Sequence, residues 1–306
     1  MKVVTCFSYK GGSGRTVASG NIAAALASSQ KVGAIERPLN YKVALLDLDV
    51  FSAGTHRVFE ISNASIQQRE FCIQDYLMNQ IEPGAHARGC GIRFSDDIMG
   101  DFAARGAAGN CREDLTLFPA KPDPDRRFVV AKYHENLLLE LILELEKQGF
   151  DYVILDGEAG IRAMADIAIR LADVVLMLFR LTWQHIEGSL NVARALQMKD
   201  KIVYLLPSCV PLVDVEDGLY QEGAPGLAEL KRETERIPRI SSLNEFTREK
   251  SEDIGYFWTN GTCIHDSLIL KGGERILVYD ALIEGDRAAS DYYHIARELS
   301  VRHRPG

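Results

Sequence analysis

The chain has 306 residues, 46% of them hydrophobic and 25% charged, and a formal net charge of −8. That balance fits a soluble globular protein that buries its core without disulfide or metal staples, and the acidic surplus argues against a surface that coats nucleic acid as a whole. The six cysteines, at positions 6, 72, 90, 111, 209 and 263, form no Cys-x-x-Cys pair, and the seven histidines form no pair at helical spacing, so reduced thiols and no zinc site are expected.

The chain opens directly into an apolar strand, Lys2–Ser8, with no basic-then-apolar leader, so no secretory signal is expected. A glycine-rich loop follows, and the run Thr16–Ser28 has the composition of a helix. The next strand, Lys42–Leu48, carries Asp47 and Asp49 at its end. From about Ser52 to Asp114 the alternation breaks down. This stretch reads as an irregular or mobile insertion rich in Gly and Ala, with one helix near Phe71–Gln80. Beyond it, strands Leu115–Phe118, Tyr152–Leu155, Val174–Phe179 and Ile202–Leu206 alternate with helices Val130–Gln148, Ala163–Leu171 and Ile186–Met198. A loop-like zone at Pro207–Pro225 precedes two last helices, Leu227–Ile237 and Ala288–Leu299. The strands are apolar on both faces, as in a sheet covered by helices on both sides. The expected fold is therefore α/β, a doubly wound and mostly parallel sheet flanked by helices, in one domain over 1–306 with an insertion at about 52–114. No apolar run approaches the ~20 residues that span a bilayer, and a cytoplasmic location is expected.

The chemistry is concentrated between the first strand and the first helix, at Tyr9-Lys10-Gly11-Gly12-Ser13-Gly14-Arg15-Thr16. Glycines let backbone N–H groups close around a phosphate without Cβ clashes, and the following helix adds its unpaired N–H groups and the positive end of its dipole. In this arrangement Gly11, Gly12, Ser13, Gly14, Arg15, Thr16 and Val17 hold the phosphates of ATP. The Thr16 hydroxyl suits Mg²⁺, and the Arg15 cation suits the β- and γ-phosphates. The ordinary Gly-x-x-x-x-Gly-Lys-Thr pattern is departed from twice, at Tyr9 and at Arg15.

Lys-Gly-Gly-x-Gly-[Lys/Arg]-Thr resembles the deviant Walker loop of the ParA/MinD family of dimerising P-loop ATPases. The similarity continues through Leu45-Leu46-Asp47-Leu48-Asp49, through Asp151-Tyr152-Val153-Ile154-Leu155-Asp156, and through Asp173-Val174-Val175 to Gln184-His185-Ile186-Glu187-Gly188. Leu205-Leu206-Pro207-Ser208 resembles the strand end that holds the base, which implies nucleotide contacts for Pro207 and Ser208. The final Tyr292–Leu299 helix is also similar, whereas Ser52–Asp114 and Val213–Leu270 have no counterpart.

The resemblance implies that Lys10 crosses a dimer interface to the partner's phosphates and stabilises charge growing on the transferring phosphoryl group, as an arginine finger does. Asp156 reaches Mg²⁺ from a strand end. Asp49 faces the same metal and orients the attacking water, while Asp47 is structural. Thr16, Asp49 and Asp156 are thus the expected metal side, and Lys10, Asp49 and Arg15 the expected catalytic set. Arg15 is planar and bidentate where a lysine is a point charge, so turnover is expected to be slow. Glu158 and Arg162 fall in a segment, Asp-Gly-Glu-Ala-Gly-Ile-Arg, that can respond to the γ-phosphate with Gly157 and Gly160 as hinges.

Three functions follow from this reading. The first is an ATP- and Mg-dependent homodimeric switch that positions or regulates a macromolecular partner, which would dock on the 52–114 segment. The second is a nucleotide-binding regulator with little hydrolysis, and the third an ATP-dependent enzyme that activates a metabolite. The charge-rich Leu230–Arg236 reads as a solvated helix face and not as a nucleic-acid patch. The tail Val301–Arg304 is too short to hold a membrane surface, so no membrane partner is expected.

Overall fold

A computed structural model describes residues 1–28, 38–78, 91–93, 114–123, 128–197, 199, 201–210, 264 and 287–306. The described elements run β1 (Lys2–Phe7), α1 (Arg15–Leu26), β2 (Val43–Asp47), α2 (Thr55–Val58), α3 (Asn63–Gln67), α4 (Ile73–Leu77), β3 (Ile92–Arg93) and β4 (Leu115–Phe118). They continue with α5 (Tyr133–Lys147), β5 (Tyr152–Asp156), α6 (Ala163–Leu171), β6 (Val174–Phe179), α7 (Trp183–Gln197), β7 (Ile202–Pro207) and α8 (Arg287–Arg302).

The strands form one sheet in the order β3-β4-β2-β5-β1-β6-β7. Every neighbouring pair is parallel except β3 with β4, which is antiparallel at the edge. The apolar runs of the sequence become central strands because both of their faces are covered. Val4 and Cys6 of β1 and Tyr152 and Ile154 of β5 pack on one side, against α1, α2 and α8. Val153 and Leu155 of β5 pack on the opposite side with α4, α5 and α6, while Phe7 of β1 meets α6 and α7 there. Alternation along each strand therefore feeds two cores at once.

Helix α1 is buried over almost its whole length, which its small residues permit. Gly20 on it is fixed by close approach, since a Cβ there would lie 2.6 Å from Cγ1 of Val58 on α2. At the far end of the chain α8 closes over α1, and the Tyr152 hydroxyl donates to the carbonyl of His303 at 3.0 Å.

All six expected strands are present, and the expected helices are found at α1, α4, α5, α6, α7 and α8. The helices α2 and α3 and the edge strand β3 were not expected. They are too short to develop a hydrophobic period. The expected helix at 227–237, the charge-rich run within it, most of the zone 207–225 and the Gly- and Ala-rich part of 84–109 lie outside the described residues.

Candidate functional site

The parallel register carries the ends of β1, β2 and β5 to the same edge of the sheet. Cys6 and Asp156 are partners across β1 and β5, and Asp47 and Asp156 across β2 and β5. In an open α/β sheet this edge is where ligands bind. The loop between β1 and α1 turns over it through two left-handed glycines, Gly12 (φ 80°) and Gly14 (φ 71°). Gly14 is the N-cap of α1, which has no side-chain cap and no acidic residue in its first turn. Its free N–H groups and dipole therefore remain available to an anion.

Residues Ser8, Gly11, Gly12, Ser13, Gly14, Arg15, Thr16 and Val17 line a cavity of about 150 Å³. The Ser13 hydroxyl is buried with no partner. The loop thus forms a cradle of phosphate size with donors left unspent, and the residues the sequence assigned to phosphate line it together with Ser8.

Behind the loop the carboxylates converge. Asp156 is fully buried. Its Oδ1 accepts from the Ser19 hydroxyl at 3.0 Å and from Arg15 Nε at 3.4 Å, while its Oδ2 has no partner. Burial pushes the Asp156 carboxyl above the usual range, opposed by the Arg15 guanidinium and by the hydroxyls of Thr16 and Ser19. Asp49 is raised by burial too, with Arg15 and Arg162 pulling it back. Glu158 is raised by burial and by Asp49, and its Oε1 is buried without a partner.

Asp47 is spent differently. Its carboxylate accepts from the backbone N–H groups of Asp49, Gly54 and Thr55 at 3.1–3.2 Å and so shapes the turn after β2. Burial, then the Asp156 charge, pushes Asp47 up to about 7.

Among the described residues no group of three or more His, Cys, Asp or Glu forms a ready metal cage. Thr16, Asp49, Asp156 and its orphaned Oδ2 suit Mg²⁺, an ion that usually takes one or two carboxylates and completes its shell with phosphate oxygens and water. The donor set fits a metal that arrives with a nucleotide.

Arg15 does not face the cavity alone. Its side chain is only 8% exposed and donates to Ser8 Oγ at 3.0 Å, Asp49 Oδ2 at 3.1 Å and Asp156 Oδ1 at 3.4 Å. The expected phosphate-facing cation thus lies against the carboxylates.

The outer half of the loop leans on α7. Lys10 Nζ donates to Gln184 Oε1 at 2.8 Å within the same chain. The Tyr9 ring lies over Gly188, where a Cβ would come within 2.1 Å of Cδ1. The segment after β5 is tied to the loop as well, since Gly160 (φ 79°) donates its N–H to the carbonyl of Ser8 at 2.9 Å. From the end of β7, Ser208 donates its hydroxyl to the carbonyl of Ser13 at 2.8 Å, so it braces the loop from behind, next to Pro207.

Three contributors escaped the sequence reading. Ser8 carries no motif signal, and Gln184, though it opens a stretch that resembles the family, was given no role there. Ser19, however, lies one helical turn beyond Arg15, so helical spacing could have placed it beside Asp156.

This geometry is that of a P-loop NTPase fold, and the resemblance to the ParA/MinD family read from the motifs holds at the level of the fold. No protein-family model matches the chain, and no curated protein resembles it significantly in sequence. Solved structures do. The MinC:MinD cell-division protein complex of Aquifex aeolicus is 18% identical, with a TM-score of 0.61 over 98% of this chain and 96% of that one. The septum site-determining protein MinD of Pyrococcus horikoshii, complexed with Mg-ADP, is 14% identical with a TM-score of 0.59, over 97% and 95% of the two chains. An McdA–ATP complex from Cyanothece is 14% identical with a TM-score of 0.58, over 100% and 97%.

Proposed function

We propose that this chain is an ATP- and Mg-dependent dimerising switch with slow hydrolysis, which positions or regulates a macromolecular partner. The observation that carries the proposal is the convergence of Thr16, Asp49 and Asp156, with the unpartnered Asp156 Oδ2, directly behind a phosphate-sized cradle that holds an unpartnered Ser13 hydroxyl. The neighbours of like fold are held with Mg-ADP, with ATP, or, in the case of MinD, with MinC.

Bound Mg²⁺ would neutralise charge on the phosphates and on the oxygens between them. The chain's own residues do the rest. The loop N–H groups and the α1 terminus bind the phosphates, Asp49 orients water, and Ser208 with Pro207 supports the base side. Gly160 passes any movement of the loop to Glu158 and Arg162.

Dimer formation is supported by what surrounds the site. Phe51, Ile161 and Trp183 follow β2, β5 and β6 on the nucleotide edge, and Ile161 and Trp183 are 74% and 54% exposed. Exposed apolar side chains on the edge that carries the phosphate loop suit a second copy of the same edge. The 52–114 segment remains the proposed docking site for the partner, and one domain over 1–306 the proposed organisation.

The test is solution mass by light scattering without nucleotide, with Mg-ADP and with Mg-ATP, for the wild type and for K10A. A dimer that forms only with Mg-ATP, and not in K10A, supports the switch. An unchanged mass in every condition refutes it. One observation favours the second reading, a nucleotide-binding regulator with little hydrolysis: Arg15 is engaged by Asp49, the residue assigned to the attacking water. Phosphate release that is steady in the wild type and lost in D49A would exclude that reading.

A further inference from the structure

We infer that Arg15 is an internal counter-ion which occupies the metal-facing carboxylates until nucleotide arrives, so that the protein takes up a divalent cation only together with nucleotide. The inference rests on the reading of Asp49 and Asp156 as metal-facing and adds to it an order of binding.

Three acceptors hold Arg15, and the Glu158 carboxyl is near enough to feel its charge. Ser8 Oγ, Asp49 Oδ2 and Asp156 Oδ1 accept from its three guanidinium nitrogens, and the side chain is nearly buried. Asp49 and Asp156 come from different strand ends, and one rigid planar cation bridges them. A divalent cation that used both carboxylates would sit beside the guanidinium, which already holds one oxygen of each. At this spacing two like charges in a partly buried site repel by several times thermal energy. Phosphate changes the balance, because it offers the guanidinium an anion of its own at the cradle that Arg15 itself lines. With Arg15 drawn to phosphate, Asp49 and Asp156 lose their bound cation and face the metal unopposed. A lysine at position 15 could not bridge the two carboxylates in the same way, since it presents a point charge and no fork.

Equilibrium dialysis of Mn²⁺ against the protein, with ATP equal on both sides where it is present and the ion on each side counted by EPR after acid release, separates the outcomes. Wild type without nucleotide should leave Mn²⁺ free and take it up once ATP is added. R15Q without nucleotide should bind Mn²⁺ at least about tenfold tighter than wild type. Uptake by R15Q should disappear in R15Q/D156N. R15K, which keeps the charge and spares the fold, should fall between the two and serves if R15Q does not fold. Nucleotide-free wild type that binds Mn²⁺ as tightly as R15Q or R15K overturns the inference, as does the absence of uptake by both variants. Failure of ATP to recruit Mn²⁺ to wild type would instead overturn the assignment of the carboxylates to metal.

Discussion

The two halves of the phosphate loop are wired in opposite directions. The inner half, Ser13 to Thr16, is bound to strand ends: Arg15 meets Ser8, Asp49 and Asp156, and the Ser13 carbonyl is held by Ser208. Among the described residues the outer half, Tyr9 and Lys10, leans on α7 through one side-chain hydrogen bond and a ring packed on a glycine. The inner contacts are buried and charged, and they are shared with groups that fix the sheet edge. The outer contacts are superficial and separable. One loop therefore joins a part anchored to the sheet edge by buried charge to a part whose exposed lysine is held by a single surface hydrogen bond.

The largest effect should come from cutting the inner half. R15A leaves Asp156 buried without its cation, and breaking such a pair from one side costs about 3 kcal/mol or more. Partial protonation of the carboxylates will recover some of that. Urea unfolding of R15A without nucleotide should show the loss, and ATP should no longer raise its midpoint. A variant with wild-type stability would mean that the three contacts are not maintained in solution.

Next in size is G188A. The Tyr9 ring lies where the new methyl would go, so either the ring or α7 must shift, and overpacking of this kind costs about 1–3 kcal/mol. Y9A should recover part of the loss in the double variant, giving a non-additive cycle. Additive losses would show that the ring does not sit on α7.

The pH dependence of stability tests the inner edge again, more gently. Folded Asp47 titrates near 7 against an ordinary value of 3.8, so between these values the folded chain holds a proton that the unfolded chain has released. The contribution of Asp47 is then fully present below about pH 4 and is lost as pH rises through about 7. Asp156 and Glu158, also raised, add slopes of the same sign. D47N cannot ionise, so its Tm should fall less steeply than that of wild type over this window. Parallel profiles would place the buried proton elsewhere.

What the sequence made legible divides along the same line. The strands were readable because each is a short apolar run, and Asp47, Asp49 and Asp156 because they end runs that resemble the acidic motifs of the ParA/MinD family. The cradle was readable because glycine spacing has a direct backbone meaning at Gly12 and Gly14. The direction of the Arg15 side chain was not. It depends on whether phosphate or carboxylate is the nearer anion, which is a property of the folded edge and of its ligation. The contact of Lys10 with Gln184 spans 174 positions, and nothing in either stretch pairs the two residues. The helices α2 and α3 were hidden for a simpler reason, since four or five residues cannot show an amphipathic period.

The smallest effect on stability, and the most informative about the outer half, should come from Q184A. The lost bond lies at the surface and joins a flexible lysine to a neutral amide, so stability should stay within about 0.5 kcal/mol of wild type. If Gln184 holds Lys10 in its own chain, its removal frees the lysine for the partner's phosphates, and less Mg-ATP should then be needed to form the dimer. Light scattering against Mg-ATP concentration reads this directly. A leftward shift in Q184A with no change in melting temperature would identify α7 as the resting place of the lysine, and combining Q184A with K10A should abolish the shift. If Q184A instead assembles less readily, Gln184 belongs to the interface and positions Lys10 there. The contact would then be part of the closed state and not a restraint on it.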